Sequence, residues 1–236
     1  QSQAREPMPK MSEEVLRPWM LIHPYMTDPP EQGGRGIPMP TMLRFKIGYA
    51  QDYRMNVGGK EVSSERIIIP HFWRGDLVGW QSRRIINDGT PKYASTPGMP
   101  KDQTLFNFDQ KATGALVVES PLSVLAHAHH MHLEATFGAE VTDRQCSLIS
   151  VHRRTVLWMD NDNAGYKATK RLGDYLSAYC DVWVVDNPWA ADPADLPDVE
   201  VQRLVSESLV PYALWNPPRE LLCWDCKAPA HEGACA

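Results

Sequence analysis

A short apolar run that ends on two aspartates and then opens a helix, VLWMDNDNAGYKATK from Val156 to Lys170, constrains this chain more than any other stretch. Residues i and i+2 at a strand end point the same way, so Asp160 and Asp162 can project into one place. Two close carboxylates repel and raise each other's pKa unless a divalent cation neutralises them. The stretch therefore has three structural solutions: a turn with a helix N-cap, a metal platform, or a loop that faces a nucleotide.

The surrounding pattern places that stretch in a sheet. From about residue 114, ALVVE, TVLWMD and DVWVVD read as strands, with a brief one at ATFG. Between and after them PLSVLAHAHHMHL, TDRQCSLISV, NAGYKATKRLGDYLSAY and VEVQRLVSESL read as helices, with Thr142 as an N-cap and Leu172, Tyr175 and Leu176 on one face. Strands alternating with helices of this length predict βαβ units and a parallel sheet covered on both faces. Sites in such sheets form beyond the carboxyl ends of the strands, where Glu119, Asp160 and Asp186 fall. Hard oxygen ligands there suit Mg²⁺ or Mn²⁺, with Glu119 as a third ligand or a base.

The front half reads differently. Residues 1–40 are rich in Pro, Met and polar residues, with one short helix expected around Ser12–Trp19 under a Ser12 cap. RIIIPHFWRGDLVGWQSRRII reads as a hairpin around RGD, with Trp73 and Trp80 expected in its core. A proline-punctuated loop follows it. Charge is segregated: Arg66, Arg74, Arg83, Arg84, Lys92 and Lys101 stand against Asp76 and Asp88, whereas Asp186, Asp192, Asp195, Asp198 and Glu200 have no Lys or Arg among them. A basic segment next to an acidic one suits a site that holds both polyanions and cations.

Composition excludes several classes. A net charge of −5 argues against a wholesale nucleic-acid coat, and no apolar run approaches the ~20 residues of a membrane span. No secretory signal opens the chain. It begins at Gln1, as expected of a processed product or a piece of a longer one. Five cysteines without an export signal disfavour a disulfide framework and point to a reducing interior. In the tail, Cys223, Cys226, His231 and Cys235 offer four ligands for tetrahedral Zn²⁺. Their spacing is one residue short of the usual zinc knuckle, so a zinc site, a linker fragment and an unstructured tail all stand open. His127, His129, His130 and His132 in HAHHMH read as a helix surface, with metal binding as the alternative.

The ordered set LVVESPLSVL, ATFGAEVT, VLWMDNDNAGYKATKRL and ADPADLP resembles the topoisomerase-primase (TOPRIM) domain, and its DNDNAG version resembles the DNA primases of bacterial DnaG and bacteriophage type. RFKIGYA, RIIIPHFWRGDLVGWQSRRI and TPKYASTPGMPKDQTLFNFD resemble the basic subdomain that precedes TOPRIM in those primases. The resemblance covers roughly residues 41–210. It implies an irregular segment over 1–40, a smaller mixed α+β basic subdomain over 41–113, an α/β TOPRIM domain over 114–212, and a tail over 213–236. The implied catalytic acids are Glu119, Asp160 and Asp162. Asp192, with Asp195 beside it, would join them around Mg²⁺ or Mn²⁺. Arg66, Arg83, Lys92, Tyr93 and Lys101 would meet triphosphates and template backbone. Two positions depart from the family pattern: Ser123 where a further acidic residue is frequent, and Ser120 where glycine is usual.

The implied activity is metal-dependent synthesis of RNA primers on single-stranded DNA during replication, in a bacterial or phage-infected cytoplasm. Ribonucleoside triphosphates would be the substrates, and a replicative helicase and a separate zinc-binding primase subunit the partners. A TOPRIM nuclease uses the same metals to cut, and a non-catalytic DNA-binding or helicase-associated subunit would keep the fold without the chemistry.

Overall fold

Residues 8–217 and 221–222 are described by the structure, a computed structural model. The chain divides into two compact units between Pro100 and Lys101, so residues 101–113 go with the second unit rather than with the basic segment.

In the first unit, a 3₁₀ helix at Glu13–Trp19 starts where Ser12 accepts a hydrogen bond from the Glu14 N–H. Helices α1 (Pro24–Thr27) and α2 (Met39–Arg44) follow. Strands β1 (Gly48–Val57), β2 (Lys60–Trp73), β3 (Asp76–Arg84) and β4 (Tyr93–Ser95) then form an antiparallel sheet in chain order. The RGD hairpin turns on two residues, Arg74 and Gly75, both at positive φ, because such a turn matches the twist of the paired strands. Leu16 packs with Ala50, Ile68, Leu77 and Trp80, while Met26 and Ile37 are buried. The front segment, irregular in its pattern, therefore supplies core to the sheet. Trp73 is buried and Trp80 donates its ring N–H to the Tyr53 hydroxyl at 3.0 Å, so both tryptophans are packing residues.

The second unit is the expected α/β layer. Its elements in chain order are β5 (Gly114–Val118), α3 (Pro121–His127), β6 (Leu133–Ala135), α4 (Asp143–Ile149), β7 (Arg154–Trp158), α5 (Asn163–Leu176), β8 (Asp181–Val185), α6 (Asp198–Glu207) and β9 (Leu209–Pro211). The sheet runs β6-β5-β7-β8-β9, parallel except for β9. Val117, Val118, Leu157 and Trp158 are buried, as strands covered on both faces require. Thr142 and Gln145 close a reciprocal capping box on α4.

Helix α3 stops at His127 instead of running through HAHHMH. The chain must turn there so that Leu133–Ala135 can pair with Leu116–Val118. Buried Glu134 secures the new strand by accepting from the Asp109 N–H at 3.2 Å and pairing with His132 and His152 at 2.9 and 3.1 Å. Among the described residues no helix is long and apolar enough to cross a membrane.

Candidate metal centre and nucleotide-facing residues

Strands β5 and β7 pair with Val118 opposite Trp158, so the residues that follow them emerge together at one edge of the sheet. There the Asp160 backbone N–H donates to Glu119 Oε1 at 3.1 Å. Asp162 caps α5, accepting the Gly165 N–H at 2.7 Å. Glycine is needed at 165 because a Cβ there would stand 1.9 Å from the Asp160 carbonyl oxygen. The helix thus begins almost in contact with the strand exit, and the two aspartates are set by that approach. The capping and metal-platform solutions are compatible: one oxygen of Asp162 makes the cap.

Asp192 opens the 3₁₀ turn Pro193–Asp195. Burial, followed by the charges of Asp162 and Asp192, pushes the Glu119 carboxyl above its usual range against the opposing Asp160 N–H. Glu119, Asp162 and Asp192 therefore form one electrostatic neighbourhood, to which Asp160 is joined through its backbone N–H, while Asp195 and Asp186 are exposed. No three of these carboxylates bring their oxygens within 4.8 Å of one another among the described residues; that closeness is reached by His129, His130 and Asp198. The donor set is all oxygen and carries negative charge that a divalent cation would offset, so it fits Mg²⁺ or Mn²⁺.

Two residues that shape this edge escaped the sequence reading. Asn161, between the aspartates, donates to the Asn187 and Trp189 carbonyls, each at 2.9 Å. Buried Asn187 donates in turn to the Trp189 and Ala191 carbonyls and accepts from the Trp189 N–H, which shapes the approach to Asp192. The signal available was the polar middle residue of DND, too slight to interpret alone. Ser123 is fully buried in α3, and Ser120 caps that helix by accepting from the Leu122 N–H at 3.1 Å.

Lys101 is exposed and lines a cavity of about 580 Å³ with Lys167, Arg171, Phe137 and Gly138. The Gly138 N–H donates to the Glu119 carbonyl at 3.1 Å, so this cavity, whose lining also carries Asp102 and Glu140, adjoins the acidic edge within the same unit.

In the first unit Lys92 is exposed and Tyr93 half-buried. Arg66 departs from its expected role. It has no exposed surface, and its guanidinium donates to Thr90 Oγ1 at 2.7 Å, to the Pro91 carbonyl at 2.6 Å and to Ser82 at 3.3 Å. A group so enclosed cannot meet a phosphate; it positions the loop that presents Lys92. Arg83 is 6% exposed, lies between the rings of Tyr25 and Tyr93, and donates to both hydroxyls. Arg35 covers the Tyr25 ring and donates to its hydroxyl at 3.0 Å. Tyr25 and Arg35 thus extend the basic-aromatic surface, which the loop-like TDPPEQGGRG concealed. The four tail ligands Cys223, Cys226, His231 and Cys235 lie outside the described residues.

Residues 116–196 match the Toprim-like family. The chain is 30% identical over 198 residues to the DNA primase of Geobacillus stearothermophilus, covering 67% of this chain and 33% of that protein. The Aquifex aeolicus primase structure with its zinc-binding and RNA polymerase domains matches with a TM-score of 0.62 and 25% identity, over 75% of this chain and 54% of that one. A DnaG primase catalytic domain bound to single-stranded DNA matches with a TM-score of 0.66 and 19% identity, over 85% and 80% of the two chains. The chain spans about a third of the length of the curated relatives it matches.

Proposed function

We propose that this chain, which its Toprim-like domain and its relatives group with the catalytic cores of DnaG-type DNA primases, joins ribonucleoside triphosphates into RNA primers on single-stranded DNA. The observation that carries the reading is the acidic edge itself. A buried glutamate is hydrogen-bonded to the backbone of one aspartate and feels the charges of two more, at the carboxyl ends of parallel strands.

In the reaction a nucleotide hydroxyl forms a bond to the α-phosphorus of a triphosphate and the bond to pyrophosphate breaks. Such chemistry needs positioning and charge neutralisation more than covalent help. Glu119, Asp160, Asp162 and Asp192 would hold Mg²⁺ or Mn²⁺, which when bound neutralises phosphate charge. Lys101, with Lys167 in its cavity, is suited to the triphosphate, and Lys92 and Tyr93 to template backbone and bases; Arg83, buried and bonded to Tyr25 and Tyr93, positions the Tyr93 ring rather than meeting a phosphate itself. A replicative helicase and a separately supplied zinc-binding module would be its partners, and a bacterial or phage-infected cytoplasm its setting.

Incubating the chain with ribonucleotides, single-stranded DNA and Mg²⁺ tests this. Short RNA products support primer synthesis. Cut DNA would instead make the chain a nuclease, and EDTA-resistant DNA binding without products a non-catalytic subunit. Lys92→Ala should weaken DNA binding and lower the slope of log affinity against log salt by about one ion. An unchanged slope would remove Lys92 from the interface.

A further inference from the structure

The histidine-rich turn after α3 does something the acidic edge does not: it gathers nitrogen ligands from one part of the chain onto a carboxylate from another. His129 Nε2 and His130 Nε2 lie 3.2 and 2.8 Å from Asp198 Oδ2, at the start of α6. The ligand atoms of these three residues all fall within 4.8 Å of one another. The 3.2 Å separation is close to the roughly 3.4 Å edge expected of a tetrahedron with metal bonds of about 2.0–2.1 Å, and the 2.8 Å contact of His130 would open slightly to admit an ion. The two imidazoles are adjacent, with ring centroids 3.6 Å apart, and both side chains reach solvent, so a cation has a way in.

The carboxylate is also held from behind. Buried His127 contacts Asp198 Oδ1 through Nδ1 at 2.8 Å and the Pro193 carbonyl through Nε2 at 2.6 Å. A ligand fixed by a partner on its far oxygen is the usual construction of a protein metal site, because the partner sets the ligand's orientation.

We infer that His129, His130 and Asp198 form a second cation site, distinct from the acidic edge, for a borderline divalent ion such as Zn²⁺. Two imidazoles and one carboxylate favour Zn²⁺, Co²⁺ or Ni²⁺ over Mg²⁺, whose preference is for oxygen. The bound ion would complete its shell with water and tie the turn after α3 to the start of α6. Through His127 and Pro193 that clamp reaches the residue next to Asp192, so the site would steady one carboxylate of the acidic edge without touching substrate.

Zn²⁺ uptake measured by equilibrium dialysis tests the site in the full chain carrying Cys223→Ser, Cys226→Ser and Cys235→Ser, which removes the tail thiols. One Zn²⁺ per chain is expected in the presence of excess Mg²⁺, and His129→Ala with His130→Ala should weaken it at least tenfold. Both residues are exposed and lie past the end of α3, so the variant should fold, and a melting curve without metal checks this. His129→Gln with His130→Gln serves if the alanine pair melts early. Zn²⁺ should raise the melting temperature of the parent and not that of the variant. Equal uptake by the two chains, or none by the parent, would overturn the site and leave these contacts as ordinary ion pairs.

Discussion

Asp160→Asn is expected to reduce primer synthesis by roughly a thousandfold while the protein stays folded. The substitution keeps the shape of the side chain. It also keeps the hydrogen bond to Glu119, which comes from the backbone N–H of residue 160 and not from its carboxylate. What it removes is one negative charge from the edge that would hold the divalent ion. An ion contributes several kcal/mol to the stabilisation of charge in such a transition state, and ~4 kcal/mol corresponds to about three decades in rate. Product formation with Mg²⁺, set beside a thermal melt of both proteins, checks the prediction. A variant that folds and synthesises primers at the parental rate would exclude Asp160 from the chemistry.

Glu119→Gln should separate activity from stability. The Glu119 carboxyl is held above the usual carboxylate range, chiefly by burial and then by Asp162 and Asp192, so the folded chain binds that proton more tightly than the unfolded chain does. Ionising the group therefore costs stability as pH rises above the ordinary carboxylate value, and the whole cost is present once pH passes the raised value. Glutamine carries no charge and can still accept the Asp160 N–H. In EDTA at neutral pH the variant should melt above the parent, with the gap closing as pH falls through the carboxylate range. Mg²⁺ should raise the parent's melting temperature more than the variant's, and primer synthesis by the variant should fall at least tenfold. A variant less stable than the parent at neutral pH in EDTA would contradict the assignment of Glu119 as a buried, charge-crowded group.

The acidic edge was legible in the sequence because its parts obey local rules. Apolar strands of a parallel sheet are short and continuous and acids follow them, whereas the close approach of the helix start to the strand exit at Gly165 shows only in the structure. The RGD hairpin and the Ser12 and Thr142 caps were legible for the same reason. What could not be read depends on contacts between distant residues. Arg66 looks like any other member of a basic run until its guanidinium is seen donating to Thr90 and Pro91. The end of α3 is decided by strand pairing at Leu133–Ala135, which overrides the helical pattern of HAHHMH. Strand β9 adds an antiparallel edge that no alternation announced, and the meeting of His127 with Asp198 joins residues 71 positions apart. The front segment contributes Leu16 to a core even though its own composition is that of loop.

The most direct test of the central claim is a Mn²⁺ titration of the parent and of Asp160→Asn, followed by the loss of the free-ion paramagnetic resonance signal. His129→Ala and His130→Ala are included in both proteins, so that only the acidic edge is read. The parent should take up Mn²⁺, Mg²⁺ should compete for the same place, and Asp160→Asn should weaken binding at least tenfold. Equal Mn²⁺ affinity in the two proteins would mean that Glu119, Asp160 and Asp162 do not hold the ion.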